Sequence, residues 1–147
     1  MITLYIIRGL PGTGKSTLGK TLAPDASFAA DDYFMVDGEY KFDPTKLGEA
    51  HAQCQATVRK ALKEKKDIVE SKALVRWKTH RGVSVCNTFS QRWEFQPYLE
   101  MAKEIGGIRI FLIDLFDNNA SLDELFERNV HNVPRHVFKN MYDRWER

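Results

Sequence analysis

The sequence predicts an α/β fold on a mostly parallel sheet. Two observations carry that expectation: short apolar runs rich in β-branched residues, of the kind buried on both faces of a sheet, and amphipathic helical stretches alternating with them. At 147 residues the chain is sized for a single domain, 1–147. A chain of about 150 residues buries roughly 70% of its unfolded surface, so a core forms without disulfides or metals.

The elements follow in order. Ile2 to Arg8 reads as a doubly buried strand, and a glycine-rich turn leads into a helix over about Lys15 to Leu22. Ala26 to Ala30 is a short second strand ending just before Asp31. "FDPTKLGEAHAQCQATVRKALKEKK" is a long helix with Asp43 or Thr45 near its start. Its stripe of Leu47, Ala50, Cys54, Val58 and Leu62 makes Cys54 a core residue rather than a reactive thiol. "DIVE" and "GVSVCNTF" are two strand candidates of which the alternating order needs one. "QRWEFQPYLEMAKEIGG" is a helix with a Gly-Gly stop, Pro97 in or near its first turn and Trp93 packed inside. "IRIFLID" is the clearest later strand. Asn118 or Ser121 starts the helix "LDELFERNV", and Pro134 opens a last helix with Val137, Phe138, Met141 and Trp145 on one face.

Composition excludes several classes. Hydrophobic residues make up 43% and charged residues 29%, as in ordinary soluble globules. No apolar run approaches the roughly 20 residues that span a bilayer, and the N-terminus meets glycine and proline too early for a signal peptide, so a cytoplasmic protein with no membrane partner is expected. Cys54 and Cys86 lack metal-ligand spacing and read as reduced thiols. A net charge of +2 implies no nucleic acid by itself.

The chemistry starts at "GLPGTGKST", Gly9 to Thr17, which satisfies GxxxxGK[ST] between a predicted strand and a predicted helix. Gly12 and Gly14 let backbone N–H groups curl around an anion, and the helix points its positive end at the phosphates. Gly12, Thr13, Gly14, Lys15, Ser16 and Thr17 are thus the expected nucleotide-binding residues. Lys15 bridges the β- and γ-phosphates and Ser16 ligates Mg²⁺, which makes ATP and Mg²⁺ the expected cofactors. The alternative, a tight turn with an incidental lysine, does not account for the whole motif in its required context.

A kinase also needs an acid to take the proton of an acceptor hydroxyl. Ligands of open α/β sheets collect beyond the carboxyl ends of the strands, where Asp31 lies. An Asp-Asp turn after a strand is the alternative reading of Asp31 and Asp32.

"GLPGTGKST", "ADDYF", "NTFSQRWEFQPY" and "ERNVHNVPRHVFKNMYDRW" together make the sequence resemble the phage-type 5′-hydroxyl polynucleotide kinases and related small P-loop ATPase/kinase domains. The likeness runs over nearly the whole chain in the same order. It implies an adenylate-kinase-like sheet with a C-terminal helical lid, Asp31 as general base on a 5′-hydroxyl, and Arg128 as a lid residue clamping the donor phosphates. Asp32 is the supporting acid at the metal. His131 stands near a further lid arginine of the phage enzymes. Helical geometry turns Arg128 away from the stripe of Leu122, Leu125 and Phe126. Asn87 and Thr88 at a strand end, with Arg92 in the first turn of the next helix, are the expected acceptor-side residues.

Three departures from the family shape the expectation. Phe34 stands where the phage kinases hold a substrate phosphate with arginine, while the related small domains share an aromatic there. Cys86 replaces a common strand-end aspartate, and Asp114 ranks below Asp31 and Asp32 as a metal-shell acid. "SKALVRWKTHRGVSV" is extra length, a basic insert over about 70–82, whose Lys72, Arg76, Lys78, His80 and Arg81 around Trp77 form either a nucleic-acid contact or a solvated extension. The expectation is a P-loop kinase moving the γ-phosphoryl of ATP to a hydroxyl. The 5′-end of a nucleic acid is the favoured acceptor and a small-molecule alcohol the second. A non-catalytic NTP-binding module is the rival.

Overall fold

In chain order the protein forms β1 (Ile2–Gly9), α1 (Lys15–Leu22), β2 (Ser27–Phe28), a 3₁₀ turn (Ala30–Phe34), β3 (Met35–Val36) and β4 (Glu39–Tyr40). A second 3₁₀ turn (Pro44–Lys46), α2 (Leu47–Glu70), β5 (Gly82–Asn87), α3 (Arg92–Ile105), β6 (Ile108–Phe116), α4 (Leu122–Glu127) and α5 (Arg135–Asp143) follow. These come from a computed structural model that describes residues 1–71, 80–129, 131 and 133–147. Most of the basic insert, residues 72–79, lies outside the described residues.

The main sheet has four parallel strands in the order β2-β5-β1-β6, and β3 and β4 form a separate antiparallel hairpin. Parallel strands need crossovers, which the helices supply. One face of β1 points Ile2, Leu4 and Ile6 into a core shared with Ala50, Cys54, Val58 and Leu62 of α2 and Phe95, Tyr98 and Met101 of α3. The α2 stripe follows the predicted periodicity from Ala50 through Cys54 and Val58 to Leu62, with Cys54 buried in it, but Leu47 at the first helical position is 40% exposed. On the other face α1 approaches β5 so closely that a Cβ on Gly19 would lie 2.5 Å from Cys86 Sγ and 2.9 Å from Ser84 Oγ. Leu10, Leu125 and Phe138 make a second, smaller core under α4 and α5.

Several local expectations change. Of the two strand candidates "GVSVCNTF" supplies β5, while "DIVE" is the last turn of α2, which Ser71 ends with extended backbone. Ile68 and Val69 suit either state in isolation, but the helix is pinned near its end by buried Lys65, which reaches Asp25 at 3.0 Å and the His80 carbonyl. Helix α2 starts at Leu47, after a 3₁₀ turn capped by Asp43 Oδ1, which accepts the Thr45 N–H at 3.0 Å. Pro97 lies in the second turn of α3, near the first as expected, whereas Trp93 is 71% exposed rather than packed inside. Proline at 97 has no N–H to donate to the Trp93 carbonyl four residues back. Ser121 is the N-cap of α4, its Oγ accepting from Glu124 N at 3.1 Å.

Arg8, a charged residue at the end of the central strand, is 2% exposed. Its guanidinium donates to the carbonyls of Phe89 at 3.0 Å and Ser90 at 3.1 Å and pairs with Asp114 Oδ2 at 3.4 Å. It lies over the Trp145 ring at 4.4 Å, so one side chain ties β1, β6, the β5-to-α3 loop and the C-terminal residues together. Burial lowers its pKa, against the opposing pull of Asp114. At the sheet edge, β6 leaves Ile110, Phe111 and Leu112 exposed, with Phe111 stacked on Tyr5 at 5.8 Å.

Candidate active site

The loop from Gly9 to Thr17 joins β1 to α1, as its motif requires. Gly12 and Gly14 take φ of +87° and +90°, the left-handed region that favours glycine. At Gly12 space is also closed: a Cβ there would lie 2.8 Å from the Leu125 carbonyl oxygen and 3.2 Å from Arg128 Cβ. The end of α4 is therefore seated on the loop. Thr13 turns inward, its Oγ1 donating to the Leu10 carbonyl at 2.8 Å, and Asn118 Nδ2 donates to the Thr13 carbonyl at 3.1 Å. Ser16 and Thr17 open the helix on its exposed side.

Lys15 Nζ donates to the Leu10 carbonyl at 3.1 Å, folding the side chain over its own loop. Burial of the ammonium brings its pKa down to about 8, opposed by neighbouring Cys86 and by the Asp31 carboxylate. Cys86 lies behind the loop, its Sγ 3.4 Å from the Lys15 carbonyl, and burial pushes its thiol pKa up. Such a thiol is a packing group, not a nucleophile. Asp114 is engaged by Arg8.

Asp31 and Asp32 sit on the 3₁₀ turn immediately after β2. Asn87 Oδ1, at the end of β5, accepts the Ala30 N–H at 2.8 Å and fixes that turn to the sheet. Asp32 Oδ2 accepts the Ala29 N–H at 2.9 Å, while burial raises its pKa. Asp32 thus caps the turn with one oxygen and leaves the other. Asp31 Oδ1 accepts from the Tyr40 hydroxyl at 3.1 Å, and Asp31 Oδ2 is 3.8 Å from His131 Nε2. The Tyr40 and His131 rings pack at 4.1 Å. Burial, then the Asp31 charge, push the Tyr40 pKa up, so the phenol stays a donor.

Arg128 ends α4 beside Gly12, its guanidinium 3.8 Å from Glu124 and its side chain 56% exposed. Thr88 gives its carbonyl to Gly9 N at 3.3 Å. Arg92 is turned elsewhere: its Nε donates to the Arg147 carbonyl at 2.9 Å, in the C-terminal segment. Phe34, 2% exposed, is packed edge-on against Tyr33, Tyr40 and Phe42 and offers no polar contact.

Sequence reasoning passed over Tyr40, Asn118 and Arg8. A signal for Tyr40 existed: "VDGEY" places Asp-Gly, both with positive φ, at a two-residue hairpin turn, and the resulting Met35–Tyr40 pair carries Tyr40 back to the acid turn. Asn118 and Arg8 act through contacts more than 80 residues apart in sequence and left no local mark.

The sequence matches an AAA domain family over residues 4–147. The chain belongs to that family. Human NEDD4-binding protein 2 is 30% identical to this AAA domain over 150 residues, 99% of the chain but 8% of that protein's length. The fold resembles a gluconokinase from Sinorhizobium meliloti 1021, with a TM-score of 0.54 at 16% identity over 99% of this chain and 75% of that one. It also resembles a chain in the structure of the Pnkp1/Rnl/Hen1 RNA repair complex, with a TM-score of 0.64 at 18% identity over 98% of this chain and 44% of that one. The AAA domain therefore has the P-loop kinase-like α/β fold, a parallel sheet flanked by helices. Among the described residues no helix is long and apolar enough to cross a membrane. No group of three or more His, Cys, Asp and Glu among them forms a metal cage.

Proposed function

We propose that this AAA domain transfers the γ-phosphoryl of ATP to a hydroxyl, with a polynucleotide 5′-hydroxyl as the favoured acceptor. The observation that carries the reading is the placement of the lid. Its helix α4 rests on Gly12 of the phosphate loop, and four residues beyond the end of that helix His131 faces Asp31 at 3.8 Å. One segment thus spans the donor and acceptor sides, the arrangement a transfer between two substrates needs.

The residues fit the nucleotide and the ion. The left-handed glycines aim backbone donors into an anion cradle, Lys15 is within reach of it, and Ser16 presents its hydroxyl at the first helical turn. Mg²⁺ prefers phosphate oxygens, water and one or two protein groups to a closed cage; Ser16 and the uncapped oxygen of Asp32 are suitable. When bound, the ion neutralises charge between the β- and γ-phosphates. Gly12, Thr13, Gly14 and Thr17 shape the cradle, and Arg128 supplies a cation from the lid. Asp31 accepts the hydroxyl proton as the new P–O bond forms and the bond to the leaving ADP breaks. Asn87 and Thr88 position the acid turn and the loop.

The buried Phe34 favours a second acceptor, a small-molecule alcohol, because no arginine stands there to hold a substrate phosphate. The nucleotide-binding module without turnover draws support from Cys86 in place of an acid. Labelled-phosphate transfer from ATP to 5′-hydroxyl DNA, 5′-hydroxyl RNA and a panel of small alcohols separates the three. Transfer to an oligonucleotide, abolished by Lys15→Ala and lowered at least about hundredfold by Asp31→Asn, is the expected result. Near-wild-type transfer by Asp31→Asn would sink the base assignment, and ATP binding with no transfer to any acceptor would favour the module.

A further inference from the structure

Asp31 is not a bare carboxylate. Each of its oxygens faces a different ring, and the two rings pack against one another at a tilt of 33°. Tyr40 comes from β4 and His131 from the segment between α4 and α5, so the hairpin and the lid meet at this acid. The contacts are unequal. Tyr40 Oη is 3.1 Å from Oδ1, a hydrogen bond, whereas His131 Nε2 is 3.8 Å from Oδ2, beyond direct bonding distance. An oxygen atom placed to one side of that line bridges both groups at ordinary hydrogen-bond lengths.

We infer that the gap between Asp31 Oδ2 and His131 Nε2 is where the acceptor hydroxyl sits, with Tyr40 selecting which carboxylate oxygen receives its proton. The inference rests on the phosphotransfer reading above and adds two residues to it. Tyr40 occupies Oδ1, leaving Oδ2 to take the proton. His131 fixes the hydroxyl oxygen by donating to one of its lone pairs. The other lone pair attacks the γ-phosphorus; the O–H electrons pass to the nucleophile as Oδ2 takes the proton, and the pair of the breaking P–O bond leaves on ADP.

His131 Nδ1 supports this assignment. It is a buried atom with no hydrogen-bond partner among the described residues. A buried N–H without an acceptor is costly, and a bare ring nitrogen is the milder loss, so the imidazole carries its proton on Nε2, pointing into the gap. The Tyr40 ring, and Asn129 Oδ1 accepting the His131 backbone N–H at 3.3 Å, hold the imidazole in place. Tyr40 is accordingly a positioning residue, and His131 touches the reacting hydroxyl.

The test uses the full chain and a 5′-hydroxyl oligodeoxynucleotide, with water as the acceptor in ATP hydrolysis if no transfer occurs. Tyr40→Phe keeps the ring against His131 and loses the hydroxyl; kcat falls about tenfold, with KM for ATP and acceptor unchanged. His131→Phe keeps a ring against Tyr40 and loses the N–H; kcat/KM for the acceptor falls about tenfold while KM for ATP holds. Nitrogen-15 NMR of the unliganded protein reads the His131 tautomer without any turnover, and Nε2–H is expected. A strong Asp31→Asn defect with both ring variants active as wild type overturns this inference alone. A His131 proton on Nδ1 also overturns it. Normal activity in Asp31→Asn overturns the base reading and this inference with it.

Discussion

Lys15 makes nucleotide binding a proton-linked event. In the folded chain burial holds its pKa at about 8, and the phosphates of a bound nucleotide raise it again by favouring the charged form. Binding therefore takes up a proton wherever the free lysine is partly neutral. With a pKa of about 8, about nine-tenths of the free protein carries the ammonium at pH 7 and about one-tenth at pH 9. If only the ammonium form binds well, affinity falls about tenfold across that interval, about 1.4 kcal/mol. The sign is opposite for the fold itself. An unfolded lysine binds more protons than the buried one, so the empty protein gains stability as pH rises from about 8 toward the ordinary lysine value of 10.5.

The assay is isothermal titration with ATP and Mg²⁺ at pH 7, 8 and 9, each in two buffers of different ionisation enthalpy. Loss of affinity above pH 8, with proton uptake largest at pH 9, is expected. Lys15→Arg, charged throughout, flattens the profile at whatever affinity it retains. Equal affinity at pH 7 and pH 9 in the wild type, with no buffer-dependent heat, would refute the argument that burial has depressed this lysine.

Gly12→Ala places a Cβ 2.8 Å from the Leu125 carbonyl in a left-handed backbone; it costs about 1–3 kcal/mol of stability in thermal melts and weakens ATP binding by displacing the lid. Arg8→Met removes two buried hydrogen bonds and the partner of Asp114; it lowers stability by about 3–5 kcal/mol in urea unfolding, although Arg8 contacts no nucleotide-binding residue named above. Asn87→Leu leaves the Ala30 N–H without its acceptor; about 1–3 kcal/mol of stability is lost, and transfer falls further than ATP affinity because the acid turn moves while the phosphate loop stays.

What was legible in the sequence was local. The phosphate loop reads from nine consecutive residues because glycine conformation, anion geometry and helix onset are encoded side by side. The α2 stripe reads because a helix repeats its buried positions at a fixed interval. The rest was decided outside the local window. "DIVE" carries enough β-branched character for a strand, but Lys65 and the layer beneath it commit the segment to α2. Trp93 suggests burial by its size, while its place in the turn beside Pro97 puts it in water. Arg92, expected on the acceptor side from its place after "NTF", donates from its Nε to the carbonyl of Arg147. The Tyr40–His131 pair joins residues 91 positions apart and becomes visible only once the hairpin and lid are folded.

The bare edge of β6 bears on handling the protein in solution. A nine-residue strand with Ile110, Phe111 and Leu112 in water, and with no proline or inward charge among those three, is a template for unwanted strand pairing. Light scattering of the purified chain is expected to show reversible growth in particle size with concentration. Phe111→Lys, a charge on that edge, delays the growth and leaves the melting temperature within about 2 °C, since only the stack on Tyr5 is given up.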